Sequence, residues 1–373
     1  MNMKLGNLLW GALFASTLCI AFTSCDNEEK TTNDEGSKIE LPGKRAYILY
    51  EGSFGNNNTG IAFYAPNKDA DFQSNIYKLQ NNKELGSLAT EFIEYNDHIY
   101  VVVSGSKYIA KLNEACVETG SYKIPEGEGD PRRIIAEDGY LYVTQYGGQV
   151  SKIDANTMKL VSTFKGGDNL EGIAECNGKL YVANTYKNDN GNFIYNKEVF
   201  VINPETMKLE EPITVVSNPE RIVEKDGKLY LHSKGNYYDE QNTLQVIDPK
   251  NNKVTDLNTP ISKMAEGKGD LLYLINNVTL YDENWNVISS ENTFTTYNTK
   301  TGEKGGSFLK NAPENLKSEN IYLLSVDDDT DEIYIGTSDY INTGTIYRFD
   351  ADGNLKESFD AGGINPNNML FID

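Results

Sequence analysis

The chain has 373 residues and carries 55 acidic against 34 basic side chains, for a formal net charge of −21. Nucleic acid is excluded as a partner, because phosphate neutralisation needs a basic footprint that this chain lacks. The charge favours solubility and says nothing of the fold.

Residues 1–24 read as a targeting segment. Lys4 supplies the positive start and Leu8 to Phe22 an apolar stretch that is short for a spanning helix. It ends Phe22-Thr23-Ser24-Cys25, which resembles a bacterial lipoprotein signal in which Cys25 becomes the lipidated N-terminus. Cleavage near Ser24 with a free thiol is the alternative; Cys19 is a weaker site because bulky Leu18 precedes it. Residues 25–43 are polar and acidic, without apolar anchors, and read as a flexible tether. An acidic run after a lipidated cysteine resembles the surface-export signal of Bacteroidetes lipoproteins. That resemblance implies the outer membrane, with the protein exposed on the cell surface and touching the membrane only through its lipid.

Residues 44–373 carry an internal repeat. The block Asn218-Pro219-Glu220-Arg221-Ile222-Val223-Glu224-Lys225-Asp226-Gly227-Lys228-Leu229-Tyr230 returns without a gap at 130–142 and again at 169–181. It reads as a strand, a tight Asp-Gly or Asn-Gly turn and a second strand opening on Leu-Tyr. The aromatic recurs as Tyr47, Tyr100, Tyr142, Tyr181, Tyr230, Tyr273 and Tyr334, at spacings of 39 to 61 residues. Third strands follow at 150–154, 199–203, 244–248 and 346–350, and a fourth at 160–164. Repeats of about 40 to 50 residues built from four short strands define propeller blades. No first strand precedes Tyr47, whereas a spare one, Asn365-Pro366-Asn367-Asn368-Met369-Leu370-Phe371-Ile372, follows the last blade. The predicted fold is therefore all-β, a single seven-bladed propeller whose ring is closed when the C-terminal strand completes the first blade, hiding two open edges. Cys116 and Cys176 fall in different blades, too far apart to pair.

In such a blade the loops before the first strand and after the second share one face, here termed upper. They hold Glu51, Phe54, Tyr108, Tyr146, Tyr186, Tyr237, Tyr238, Asp339 and Tyr340 among amides and glycines. Tyrosine offers flat apolar area and one hydrogen bond, which suits a broad polar ligand. Arg133 and Arg221 occupy equivalent positions at the top of first strands, with Arg132 beside one of them. They either bind an anion or pair with Glu171, Glu220 and other rim acids. His98 and His232 read as structural histidines, with a base or metal-ligand role for His232 as the alternative. Residues 327–332 are acidic but lack the glycine and spacing of a calcium loop, and read as a solvated turn. No nucleophile elbow, paired-histidine metal motif or phosphate-binding loop is present, so no enzyme, metal or cofactor is expected.

The run Pro131-Arg132-Arg133-Ile134-Ile135-Ala136 with Leu141-Tyr142-Val143-Thr144-Gln145-Tyr146-Gly147 resembles the YncE-like, quinoprotein-dehydrogenase-type propellers. The opening Tyr50-Glu51-Gly52-Ser53-Phe54-Gly55-Asn56-Asn57-Asn58 is similar to the N-terminal motif of Bacteroidetes propeller lipoproteins, departing from it at Tyr50, where Asn is expected. Among these are the BtuG-type proteins. The resemblance implies binding of cobalamin or a related corrinoid on the upper face and its delivery to a TonB-dependent transporter. It carries no ligands for a quinone cofactor. A scaffold propeller binding a protein or glycan at the cell surface is the alternative.

Overall fold

A computed structural model of the chain describes residues 32–284 and 286–373. The targeting segment, Cys25 and the first part of the expected tether lie outside the described residues.

Seven antiparallel sheets form a ring. Blade 1 pairs Pro366–Ile372 with Arg45–Tyr50 and Gly60–Tyr64, so the first blade is completed from the far end of the sequence, as expected. Blades 2 to 5 follow in chain order with four strands each. Their inner strands are Ala89–Glu94, Pro131–Glu137, Asn169–Cys176 and Pro219–Lys225. Blade 6 has three strands, Lys263–Glu266, Leu271–Tyr281 and Val287–Asn298, and blade 7 has four, beginning with Ile321–Val326.

The repeated tyrosines all lie in second strands and are 0–6% exposed. A buried ring must still satisfy its hydroxyl. In three of them the partner comes from the next blade: Tyr47 donates to Glu114 O (2.5 Å), Tyr100 to Ala155 O (2.9 Å) and Tyr230 to Thr299 O (3.5 Å), while Tyr334 donates to Glu332 of its own blade (3.2 Å). The repeat thus encodes the contact between blades as well as the blade. The lower hairpin turns take φ of +49° and +82° at Asp138-Gly139, +52° and +76° at Asn177-Gly178, and +55° and +73° at Asp226-Gly227. Two consecutive positive φ angles mark the turn that matches strand twist, which is why these dipeptides recur.

Two expectations change. The tether ends earlier than residue 43. Asp34 forms a two-point ion pair with Arg45 (2.6 and 2.9 Å), whose side chain is fully buried. Glu35 O accepts from Asn113 Nδ2 (2.8 Å), and Lys38 N donates to Gln80 Oε1 (2.8 Å). Residues 32–43 therefore belong to the propeller, strapped beneath blades 1 and 2, because a buried guanidinium requires a counter-charge. Secondly, residues 327–332 are only partly solvated. Asp327 is 1% exposed beside Lys44 (3.6 Å), and buried Glu332 holds Arg348 (2.6 Å). Cys116 and Cys176 are both buried free thiols.

Candidate functional site

The upper end of the central channel opens into a cavity of about 340 Å³. Its walls come chiefly from the tops of inner strands. In six blades a bulge interrupts the ladder there, for example between Ala89 and Glu91, Pro131 and Ile134, and Pro219 and Arg221. A bulge kinks the strand and re-aims a side chain. Glu91, Arg221 and Lys263 take the same ladder position, each opposite the residue two past the repeated tyrosine (Val102, His232 and Ile275). Arg133 donates its backbone N–H to Thr144 Oγ1 at that level (3.0 Å). Gly172 of blade 4 must be small: a Cβ there would lie 2.4 Å from Glu220 O of blade 5.

Five cationic side chains gather at this mouth: Arg132, Arg133, Arg221, Lys234 and Lys263. Four carboxylates face them. Arg221 reaches across to Glu91 (2.8 Å), Arg132 binds Glu171 (2.9 Å) and Lys234 binds Glu220 (2.6 Å), while Glu51 accepts a hydrogen bond from Tyr322. Arg133 is less well matched. It donates to Thr90 O (2.8 Å) but stands 3.6 Å from Glu171 and 3.9 Å from Glu91. Its buried Nε has no hydrogen-bond partner. Lys263 has no carboxylate in ion-pair range among the described residues and sits 5.0 Å from the centre of the Tyr322 ring. Burial, reinforced by the like charges of Arg133, Lys234 and Arg221 and opposed by Glu220, pulls its ammonium down to about 8.

His232 is 4% exposed, with Nδ1 3.6 Å from Glu220 and Nε2 lacking a hydrogen-bond partner. Burial lowers it to about 4, so the ring is neutral at ordinary pH. His98 lies at a lower turn, its Nδ1 2.7 Å from Asn96 O.

The expected site residues divide into three groups. Glu51, Arg133 and Arg221 line the mouth. Tyr146, Tyr186 and Tyr237 line an adjoining recess of about 360 Å³. There Arg132 lies over the Tyr146 ring (4.6 Å), Tyr146 meets Tyr186 edge-on (6.0 Å), Tyr186 meets Phe193 (5.5 Å) and Tyr195 meets Tyr237 (5.5 Å). Asp339 and Tyr340 border a separate recess over blade 7, where Asp339 accepts from Ile341 N and Asn342 N of its own turn. Phe54 (89% exposed) and Tyr238 (86%) stand free at the rim. Tyr108 is the misplaced one. It packs against the apolar core shared by blades 1 and 2 and donates to Leu85 O, so it serves packing.

The sequence reading missed Lys234, Lys263, Glu91, Tyr195 and Tyr322. Lys263 and Glu91 sit at the ladder position of Arg221; extending the gapless repeat through blade 2 finds Glu91, whereas the first hairpin of blade 6 is one residue longer and puts Met264 where Lys263 stands. The upper loop that carries Tyr186 is a projecting hairpin, Lys179–Asp189 with Asn192–Asn203, turned by Asn190-Gly191. The same dipeptide signal marks it. Among the described residues, one group with metal-ligating geometry lies at the lower rim, where Glu94, Asp97 and Glu114 bring ligand atoms within 4.8 Å of one another. Glu114 already accepts from Asn33 N, and Asp97 O accepts from Asn33 Nδ2 (3.4 Å), so this acidic group anchors the strap.

Fold and mouth together define a seven-bladed propeller with a polar, cation-bearing upper mouth. The chain belongs to the family described as Domain of unknown function (DUF5074), matched over residues 44–365. Among curated proteins none matches it. A functionally unknown protein from Desulfotomaculum acetoxidans is similar in structure, with a TM-score of 0.58 and 14% identity over 88% of this chain and 98% of that one. The WD40 domain of Neurospora crassa Pan2 has a TM-score of 0.51 and 10% identity over 72% and 78%. A protein of unknown function from Bacteroides caccae has a TM-score of 0.47 and 12% identity over 88% and 99%.

Proposed function

We propose that this protein is a non-enzymatic capture protein of the cell surface, anchored by lipid on Cys25. Its upper face takes cobalamin or a related corrinoid, which it hands to a TonB-dependent transporter of the outer membrane. The observation that carries this reading is the union, on one face, of a polar mouth of about 340 Å³ with an aromatic recess of about 360 Å³ beside it. A corrin is a broad disc edged with amides. Edge-on tyrosines supply flat apolar area, and the mouth supplies convergent polar groups. Calorimetric titration of cyanocobalamin into the full chain in mild detergent tests it. Tight one-to-one binding, weakened by Tyr186→Ala and Tyr237→Ala, supports the reading. No heat at high micromolar ligand, with no colour retained after desalting, removes the corrinoid.

The hairpin of blade 6 favours a protein partner as a second reading. Val278, Leu280, Tyr281, Val287 and Ile288 are all at least half exposed on it. An apolar patch projecting beside a polar mouth suits a docking protein.

A further inference from the structure

We propose that the upper mouth contains a subsite for a phosphate group, anchored by Arg133 and Lys263 with Arg221 as a third contact. This rests on reading the upper face as the binding face, and it specifies which part of a ligand enters the channel.

The argument is one of unmatched charge in a confined place. The molecule carries −21 overall, yet five cations meet four carboxylates here. Glu91, Glu171, Glu220 and Glu51 are engaged in close contacts with Arg221, Arg132, Lys234 and Tyr322. What remains under-neutralised is Arg133, with only long approaches to acids, and Lys263, with none. One further donor faces the same cavity: the Arg221 side chain keeps 40% exposure despite its ion pair, whereas the Ser262 hydroxyl already donates to Ile275 O (3.1 Å). Holding like charges together in a partly desolvated channel opposes folding, and a bound anion relieves that opposition.

The direction of approach selects the anion. Arg133 comes from blade 3, Arg221 from blade 5 and Lys263 from blade 6. A planar carboxylate is matched by one guanidinium in its own plane, whereas a tetrahedral phosphate presents acceptors on every side and engages cations arriving from separate walls. The cavity leaves room above it for the organic part of an ester, with the tyrosine recess alongside. Cobalamin carries one phosphodiester in its nucleotide loop, and cobinamide lacks it.

The test is calorimetric titration of inorganic phosphate into the full chain near neutral pH, with chloride at matched ionic strength as the reference. One-to-one binding is expected, weakened about tenfold or more by Lys263→Met, the scale of one charge-assisted contact. Lys268→Met, which removes an exposed cation paired with Asp331 on the opposite side, should leave it unchanged. Thermal melts of both variants confirm that each is folded. Absence of phosphate binding, or equal loss in the two variants, overturns the subsite. Corrinoids separate this proposal from the one it rests on. If phosphate binds and neither corrinoid does, the subsite stands and the corrinoid reading falls. If cyanocobalamin and cobinamide bind alike and phosphate displaces neither, the corrinoid reading stands and the subsite falls.

Discussion

The two ends of the central channel are built from the same seven inner strands, and they differ in both charge and variability. At the lower end the strands finish on acids such as Glu94, Glu175, Glu224 and Glu266. Three of these carboxylates have a local task. Glu94 accepts from Asp97 N (3.1 Å), Glu175 from Gly178 N (2.6 Å) and Glu224 from Gly227 N (2.8 Å), each bracing the turn three residues on. The acidic lower mouth is thus a by-product of making the same tight turn repeatedly. At the upper end no turn geometry repeats. Loops range from the short Gly147-Gly148 connection to hairpins reaching Asp189 and Tyr281, and apart from Lys234–Glu220 within blade 5 the close charge pairs join different blades. Where the sequence repeats, the residues serve the blade; where equivalent positions diverge, they are free to serve a ligand.

The comparison can be broken or sharpened experimentally. The largest effect is expected from deleting residues 365–373, which abolishes both mouths at once. The deletion exposes the long edge of Arg45–Tyr50 and removes buried Met369 and Ile372. The cooperative thermal transition should vanish, and the soluble product should aggregate on size-exclusion chromatography. Next comes the lower strap. Asp34→Asn leaves the Arg45 guanidinium buried without its counter-charge and should cost about 3 kcal/mol in denaturant unfolding, at the low end for such pairs because Asp34 retains some solvent. Ligand affinity at the upper face should not change; a parallel loss there would mean the two ends are coupled.

A smaller effect separates the mouths by pH. Lys263, at about 8, faces Glu220, Arg133, Lys234 and Arg221, of which the arginines keep their charge at alkaline pH. Its own positive charge is lost as pH rises through that value. Sulfate, an oxyanion that does not titrate there, should therefore bind about tenfold more weakly well above pH 8 than at neutrality, and Lys263→Met should abolish the dependence. The smallest effect belongs to the lower mouth. Partial desolvation in the channel, with Asp328 and Glu224 nearby and against the pull of Lys225, pushes Glu266 from 4.5 to about 7, and because its side chain is still exposed, solvent screening keeps the effect on stability small. An acid raised in the folded state contributes stability that is fully present below its unfolded value and lost as pH climbs through the folded one. Thermal stability should decline slightly between pH 4.5 and 7, and Glu266→Gln should flatten that slope.

The ring was legible because its signals are local and repeated: Asp-Gly turns, Leu-Tyr openings and a first strand supplied late in the chain. Arg133 and Arg221 were legible for the same reason, since they fall at one place in an aligned block. Lys263 was not. Its strand has four residues, and its turn reads Gly267-Lys268-Gly269-Asp270 in place of Asp-Gly, so the alignment loses its marker. Tyr108 shows the opposite failure. Its place in the chain puts it beside an upper loop, but the side chain's direction is set by packing that sequence spacing does not report. The Asp34–Arg45 pair was invisible because one aspartate in an acidic run looks like the next until a buried arginine selects it.

Completing blade 1 from residues 366–372 also has a consequence for biosynthesis. Asn365 bonds to Gly52 across 313 positions of sequence, so Arg45–Tyr50 emerges from the ribosome long before its neighbour exists. During that interval the nascent chain has no closed ring to form. Pairing at such a distance is slow, because the chain entropy is lost before the contacts reward it. A polypeptide that stops short of residue 366 cannot complete blade 1, so closure of the ring doubles as a check that synthesis has reached the last strand.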